Sequence, residues 1–390
     1  MKWREIPLPA RRYMIYHMII SPGIFVWYAL PAYMLLTGFS PLEIGFLFSI
    51  INAAAVPVTY LIGKYFNSVP IKKGLIAIDF LDGVSMILYS LSKGLFAPLF
   101  LFLGRLVEKI SMMMYHLYPA YEQIIYPEEK REEVLSWHLR TAEISTAATY
   151  PILGYLLGYV FPDERSYRVF FLLCGLMSAF TIWYLVKMLP DAGKEERMKI
   201  TKFSFKFDRH FASFLIVDCL FFMAEGFIPG FIMINYIIKV LNKTIFEVAV
   251  LEALMSLCTI TATFASEKLS GMKKGQALFV SFLLLSLSSA LMLSKPPFWG
   301  VLLVYALYNF ADSFLFPFYR QWFYSMVPPE KTTELHAACD SLRNLYGIFS
   351  AALAGTLASI SPVFGYGLAS AFFAACGTAA LFMKIERKIA

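Results

Sequence analysis

The chain has 390 residues, of which 59% are apolar and only 16% charged, and its mean hydropathy is +0.63. A water-soluble protein of this length needs a charged surface that this composition does not supply, whereas lipid tolerates an apolar exterior. The formal charge of +7 would suggest nucleic acid in a soluble protein; here the placement of the basic residues explains it better.

Along the chain, the polar and basic start Met1–Arg12 runs into an apolar stretch long enough to span, with no A-x-A-like site. It therefore reads as a first span and not as a cleavable signal peptide. Stretches of about 20 mostly apolar residues, the length a bilayer requires, predict spans over residues 13–37, 42–65, 73–93, 95–120, 133–161, 167–189, 209–239, 245–267, 274–294, 297–326, 332–360 and 363–385. The predicted organisation is an N-terminal six-helix bundle (1–189), a Lys- and Glu-rich linker (190–208) and a C-terminal six-helix bundle (209–390). With the N-terminus inside, the inner segments carry 23 Lys and Arg and the outer ones 6. That bias predicts an integral protein of the cell membrane with both termini cytoplasmic.

The halves repeat each other. Lys72-Lys73-Gly74 returns as Lys273-Lys274-Gly275, Pro119-x-Tyr121-x-Gln123 as Pro317-x-Tyr319-x-Gln321, Glu129-Lys130 as Glu330-Lys331, and Pro22-Gly23 as Pro229-Gly230. The offsets stay within a few residues of 200 and in one order, which points to duplication of a six-span unit.

The segment Gly63–Gly74 keeps a first glycine and the basic pair Lys72-Lys73, with Asn67 where an acid would stand. With Arg105 in span four, Pro127-Glu128-Glu129-Lys130-Arg131 before span five, and Tyr150-Pro151-Ile152-Leu153-Gly154 within it, this resembles the major facilitator superfamily over the whole chain. The resemblance implies an all-α membrane protein of twelve transmembrane helices in two pseudo-symmetric bundles. It also implies that spans one, four, seven and ten surround a central cavity.

Ionisable side chains at membrane depth are costly unless paired or solvated, so each is a functional candidate. Glu108 (span four), Glu225 (span seven) and Asp312 (span ten) lie near mid-span, with Arg105 one turn from Glu108. An acid in a low-dielectric cavity can hold a proton at neutral pH, so Glu108, Glu225 and Asp312 are the expected proton-coupling groups. With Trp27, Tyr28, Arg105, Tyr305 and Asn309 they make up the expected substrate site, whose acidity favours a cation or a proton. For Arg105 and Glu108, at i and i+3, the alternative is simple mutual neutralisation as helix packing. Glu225 and Asp312 have no such neighbour in sequence. Nearer the cytoplasmic ends, Glu122, Arg140, Glu143, Arg320, Asp340 and Arg343 are the expected gate, pairing either across the halves (Glu122 with Arg343, Arg320 with Glu143) or within each helix. Asp79, Asp82 and Glu252 read as peripheral to the cavity.

The five cysteines lie in apolar segments at unrelated spacings and read as reduced packing residues. Among the five histidines, His336-x-x-Cys339-Asp340 sets three metal-capable groups on about one turn, and His17 could approach His116; structural roles are commoner, and no metal ligand is assigned. No P-loop, dinucleotide-binding glycine pattern, zinc-protease motif or nucleophile elbow is present, so no enzyme and no cofactor is expected. The resulting expectation is a monomeric secondary transporter of a small molecule or ion, embedded in membrane lipid and binding no nucleic acid. It would be proton-coupled and export cationic or amphipathic compounds by alternating access. The alternatives are a divalent-metal exporter or lipid flippase of the same fold, or a membrane sensor that has lost transport.

Overall fold

The computed structural model describes residues 2–66, 70–115, 117–191, 209–269, 271–325 and 332–382, and among them there is no strand. Twelve spans follow in order: Leu8–Leu36; Pro41–Phe66; Ile71–Ser90; Ala97–Met112 continued by Leu117–Ile125; Arg131–Tyr155; Glu164–Met188; Arg209–Phe227 continued by Gly230–Asn235; Ile245–Lys268; Lys274–Met292; Phe298–Tyr324; Thr332–Ile360; and Phe364–Phe382. Seven of them (one, six to ten and twelve) are long and apolar enough to cross a membrane by that measure alone. Spans three and five fall short because of the charged and polar side chains they carry, and span four because its first helix ends at Met112 after 16 residues. The fold is that of two pseudo-symmetric six-helix bundles.

Span one starts five residues earlier than predicted. Pro9 suits a first helical turn, and Arg12, which as a charge had marked the predicted edge, turns its Nη1 onto the Met188 carbonyl (3.0 Å) at the end of span six. Lys72 does the same there, donating to Leu189 O (2.7 Å) and pairing with Asp191 (3.0 Å). Cations at a helix C-terminus satisfy carbonyls that have no partner within the helix, which gives the first lysine of the Lys72-Lys73 motif a local role. At the other end of span six, outside the membrane, Asp163 caps the helix; the Ser166 hydroxyl and amide hold its carboxyl below the usual carboxylate range.

The repeated Pro-Gly pairs break their helices at matching places. Span one kinks at Phe25, just past Pro22-Gly23, and span seven is interrupted between Phe227 and Gly230, at Pro229. Span four is also broken, by a turn at Met113–Tyr115.

By contacts, the chain forms two units, Met1–Thr37 with Ile51–Ile200 and Gly38–Ile50 with Thr201–Ala390. In the first, span three packs on spans four and six and span one on span five. A Cβ on Gly83 would stand 2.8 Å from Ser178 Cβ, and one on Gly175 would stand 3.0 Å from Gly83 O. Spans three and six therefore approach backbone to backbone, as small residues permit in lipid. The apolar core here is rich in tyrosine: Tyr13, Tyr16, Tyr121 and Tyr126 are all buried. In the second unit, span nine packs on spans ten and twelve, span eight on ten, and span seven on eleven and twelve. Ser286 and Ser370 exchange hydrogen bonds (2.9 Å each way) between spans nine and twelve. The core is built of phenylalanine, with Phe214 edge-on to Trp322 (5.0 Å) and Phe221 to Phe282 (5.7 Å). The first turns of span two belong to this unit. A Cβ on Gly355 of span eleven would stand 2.6 Å from Pro41 O, and Ser49 donates to Ile348 O.

Candidate functional site: buried acids in two bundles

In the second unit, span ten presents Tyr305, Tyr308 and Asp312 at i, i+3 and i+7, which a helix places on one face. Tyr308 donates to Glu225 Oε1 from span seven, and Asp312 lies within Coulombic range of that carboxylate. Both acids are half-buried, and neither makes an ion pair among the described residues. Sequence spacing gave Glu225 no neighbour; the tyrosine that bonds it sits 83 residues away in the chain. Tyr305 is buried, and its hydroxyl meets that of Tyr366 at 2.5 Å. The same three tyrosines line a small pocket with Ser288, Ser289 and Met292. Asn309 points to a different neighbour: its Nδ2 donates to Met255 O (2.7 Å) and Thr259 Oγ1 (2.8 Å), tying span ten to span eight.

In the first unit, Arg105 and Glu108 form the i,i+3 ion pair directly, Nη1 to Oε1 at 2.7 Å. Tyr89 of span three donates to the other oxygen of Glu108, which is buried. Gly104 makes this possible, because a Cβ there would collide with the Tyr89 ring at 2.6 Å. Glu108 thus has a cation at one oxygen and a tyrosine hydroxyl at the other, unlike the acids of spans seven and ten. Of the aromatics in span one, Tyr28 packs edge-on to Tyr150 (5.8 Å), while Trp27 is 37% exposed.

Two of the expected gate residues, Arg343 and Glu122, have partners that were not paired with them in sequence. Arg343 binds Asp218 of span seven through both ends of its guanidinium (Nη2–Oδ1 2.5 Å, Nε–Oδ2 3.3 Å) and lies over the Phe222 ring at 3.8 Å. Tyr319 donates to the same carboxylate. The physical reason is that Asp218 is buried in an apolar helix and such a charge needs a cation. Glu122 accepts from Tyr13 (3.3 Å) and faces His138 Nδ1 (3.4 Å). Arg320 is exposed, its guanidinium 4.2 Å from the Phe316 ring one turn back. Arg140 and Glu143 are half-buried in span five. The side chains of Asp340 and His336, together with His116, Asn67 and linker residues 192–208, lie outside the described residues.

Two features were missed in the sequence. Asp218 stands in an apolar run, Phe-Leu-Ile-Val-Asp-Cys-Leu-Phe-Phe, and its isolation was the available signal. The grouping of His17, Glu122 and His138, from three separate spans, left no local signal at all. Asp79 is buried and accepts from Tyr16 (2.6 Å), and Asp82 receives Tyr115 (3.4 Å), which places both acids inside the first bundle.

No curated protein matches the chain significantly in sequence. Solved structures similar to it include a point mutant of the nucleoside transporter NupG (TM-score 0.71, 15% identity, 95% of this chain and 98% of that one). A bacterial homologue of the iron transporter ferroportin in an inward-facing state gives 0.72 at 11% identity, covering 95% and 97%. A D-xylose–proton symporter gives 0.71 at 12%, again covering 95% and 97%. At such identities the likeness is one of fold. The sequence profile of the Major Facilitator Superfamily matches residues 13–351, and the chain belongs to that family.

Proposed function

We propose that this transporter exchanges protons for a small cationic or amphipathic solute by alternating access, using Glu225 and Asp312 as the shared binding groups. The observation that carries this reading is the pair of half-buried acids served by Tyr308 and by no ion pair among the described residues. Carboxylates at membrane depth are stable when protonated, hydrated or matched by a cation. A proton and a cationic solute that compete for one acidic site cannot both occupy it, and such competition produces exchange. Inward proton flow then drives the solute out. Tyr305 and Tyr308 supply ring faces that suit an organic cation. Within the first bundle, Arg105 and Glu108, already neutralised, hold span four in place. The basic bias of the inner segments supports cytoplasmic termini in the cell membrane.

The test is transport of tetraphenylphosphonium and of ethidium in proteoliposomes under an imposed pH gradient. The expected result is movement of at least one of these cations against its own gradient, abolished in Asp312→Asn. Gradient-independent binding without flux would instead indicate a sensor.

A further inference from the structure

We propose that His17, Glu122 and His138 form a binding site for a divalent transition-metal ion inside the N-terminal bundle. His17 comes from the middle of the first helix of span one, Glu122 from the short helix that ends span four, and His138 from span five. One ligand-capable atom of each lies within 4.8 Å of the others. The two imidazole rings face each other at 4.5 Å between centroids and 49° between planes.

Two imidazoles and one carboxylate are a borderline-soft set that suits Zn²⁺, Fe²⁺, Mn²⁺ or Co²⁺ better than Ca²⁺ or Mg²⁺, which prefer oxygen. Ligand atoms about 2.0–2.2 Å from a tetrahedral ion stand roughly 3.3–3.6 Å from each other. Closing from 4.8 Å therefore brings the ligand atoms roughly 1.2–1.5 Å nearer one another, a distance within the reach of side-chain rotation. Three protein ligands leave the fourth position to water, the pattern of a site whose ion can exchange.

The surroundings fit this role. His17 Nε2 is buried and has no hydrogen-bond partner among the described residues, a costly state for a ring nitrogen unless something occupies the space beside it. Tyr126 OH lies 2.8 Å from His138 Nδ1, and Tyr13 donates to Glu122 Oε1 at 3.3 Å; such outer partners fix ligand orientation in metal sites. The rings of Tyr13, Tyr16 and Tyr118 enclose His17 at 4.5, 5.1 and 5.3 Å. An ion pair between His138 and Glu122 alone would account for two of the three residues and would leave His17 without a role. The site uses none of the acids assigned to the solute, so it stands or falls apart from the exchange reading.

The experiment uses the full chain purified in detergent, freed of any polyhistidine tag and stripped with chelator, then titrated with Zn²⁺, Mn²⁺ and Co²⁺. Thermal unfolding and the visible absorption of bound Co²⁺ are the readouts. Binding of about one ion with a Kd in the micromolar range or tighter, a raised unfolding temperature and a ligand-field band are expected. In His17→Asn and Glu122→Gln the affinity should fall at least ~10-fold. Apo-protein unfolding temperature and monodispersity show whether each variant remains folded; the conservative Glu122→Gln decides the matter if a histidine variant does not. Absence of binding by all three metals overturns the proposal, as does binding that persists unchanged in both variants.

Discussion

The N-terminal bundle matches the acid of span four with an arginine; the C-terminal bundle, built on the same plan around a phenylalanine core, leaves the acids of spans seven and ten without a cation among the described residues. In the first, Arg105 neutralises Glu108, Tyr89 completes it, and Tyr16 reaches Asp79. In the second, Asp218 has its arginine, whereas Glu225 and Asp312 have a tyrosine and each other. What the halves share is packing hardware: proline-glycine breaks in spans one and seven, and a tyrosine at the end of spans four and ten. Even that tyrosine has changed partners. Tyr121 donates to the Pro190 carbonyl at 2.9 Å, and Tyr319 donates to the Asp218 carboxylate. Duplication preserved how the helices bend and approach while leaving the interior charges free to diverge, so chemistry need not be symmetric where architecture is.

The largest expected effect breaks this comparison at the acids. Glu225→Gln and Asp312→Asn should each bring gradient-driven transport in proteoliposomes down to the level of protein-free vesicles. Glu108→Gln should act first on stability, because it leaves the Arg105 guanidinium without its anion. An equal loss of coupling in Glu108→Gln, with unchanged stability, would erase the proposed distinction between the halves. Next in size, Arg343→Met strands a buried Asp218 and should cost about 3 kcal/mol, read as a lowered unfolding temperature in detergent. Adding Asp218→Asn should recover much of that loss, since the penalty belongs to the unpaired charge. A smaller effect is expected at the close crossing of spans three and six. Gly175→Ala places a methyl group where Gly83 O and Ile87 already stand within 3.0 Å, an overpacking worth about 1–3 kcal/mol. The smallest is Arg320→Gln, which removes an exposed cation–π contact worth about 0.5 kcal/mol and should leave the unfolding temperature nearly unchanged.

Much of the architecture was legible in the sequence because a bilayer imposes a single length on every span and apolar runs report it directly. The Arg105–Glu108 pair was legible too, since i and i+3 meet on any helix. Partners that lie a hundred residues apart were not. Asp218 finds Arg343 at a separation of 125 residues, and His17 finds His138 across three intervening spans. Hydropathy carries no information about which helix faces which, so the partners that Glu122 and Arg343 have within their own bundles, His138 and Asp218, could not be read from it. Charge also blurred one edge: Arg12 marked the start of span one in sequence, but its long side chain lets the helix begin at Leu8 while the guanidinium caps span six.

The central claim is that proton and solute share the acids of spans seven and ten. Proton release on solute binding tests it most directly, measured with a pH-sensitive dye in weakly buffered detergent solution as tetraphenylphosphonium is added to purified protein. The account predicts release of about one proton per bound cation in the wild type and none in the Glu225→Gln/Asp312→Asn double variant. Cation binding without proton release, or equal release from the double variant, would contradict it.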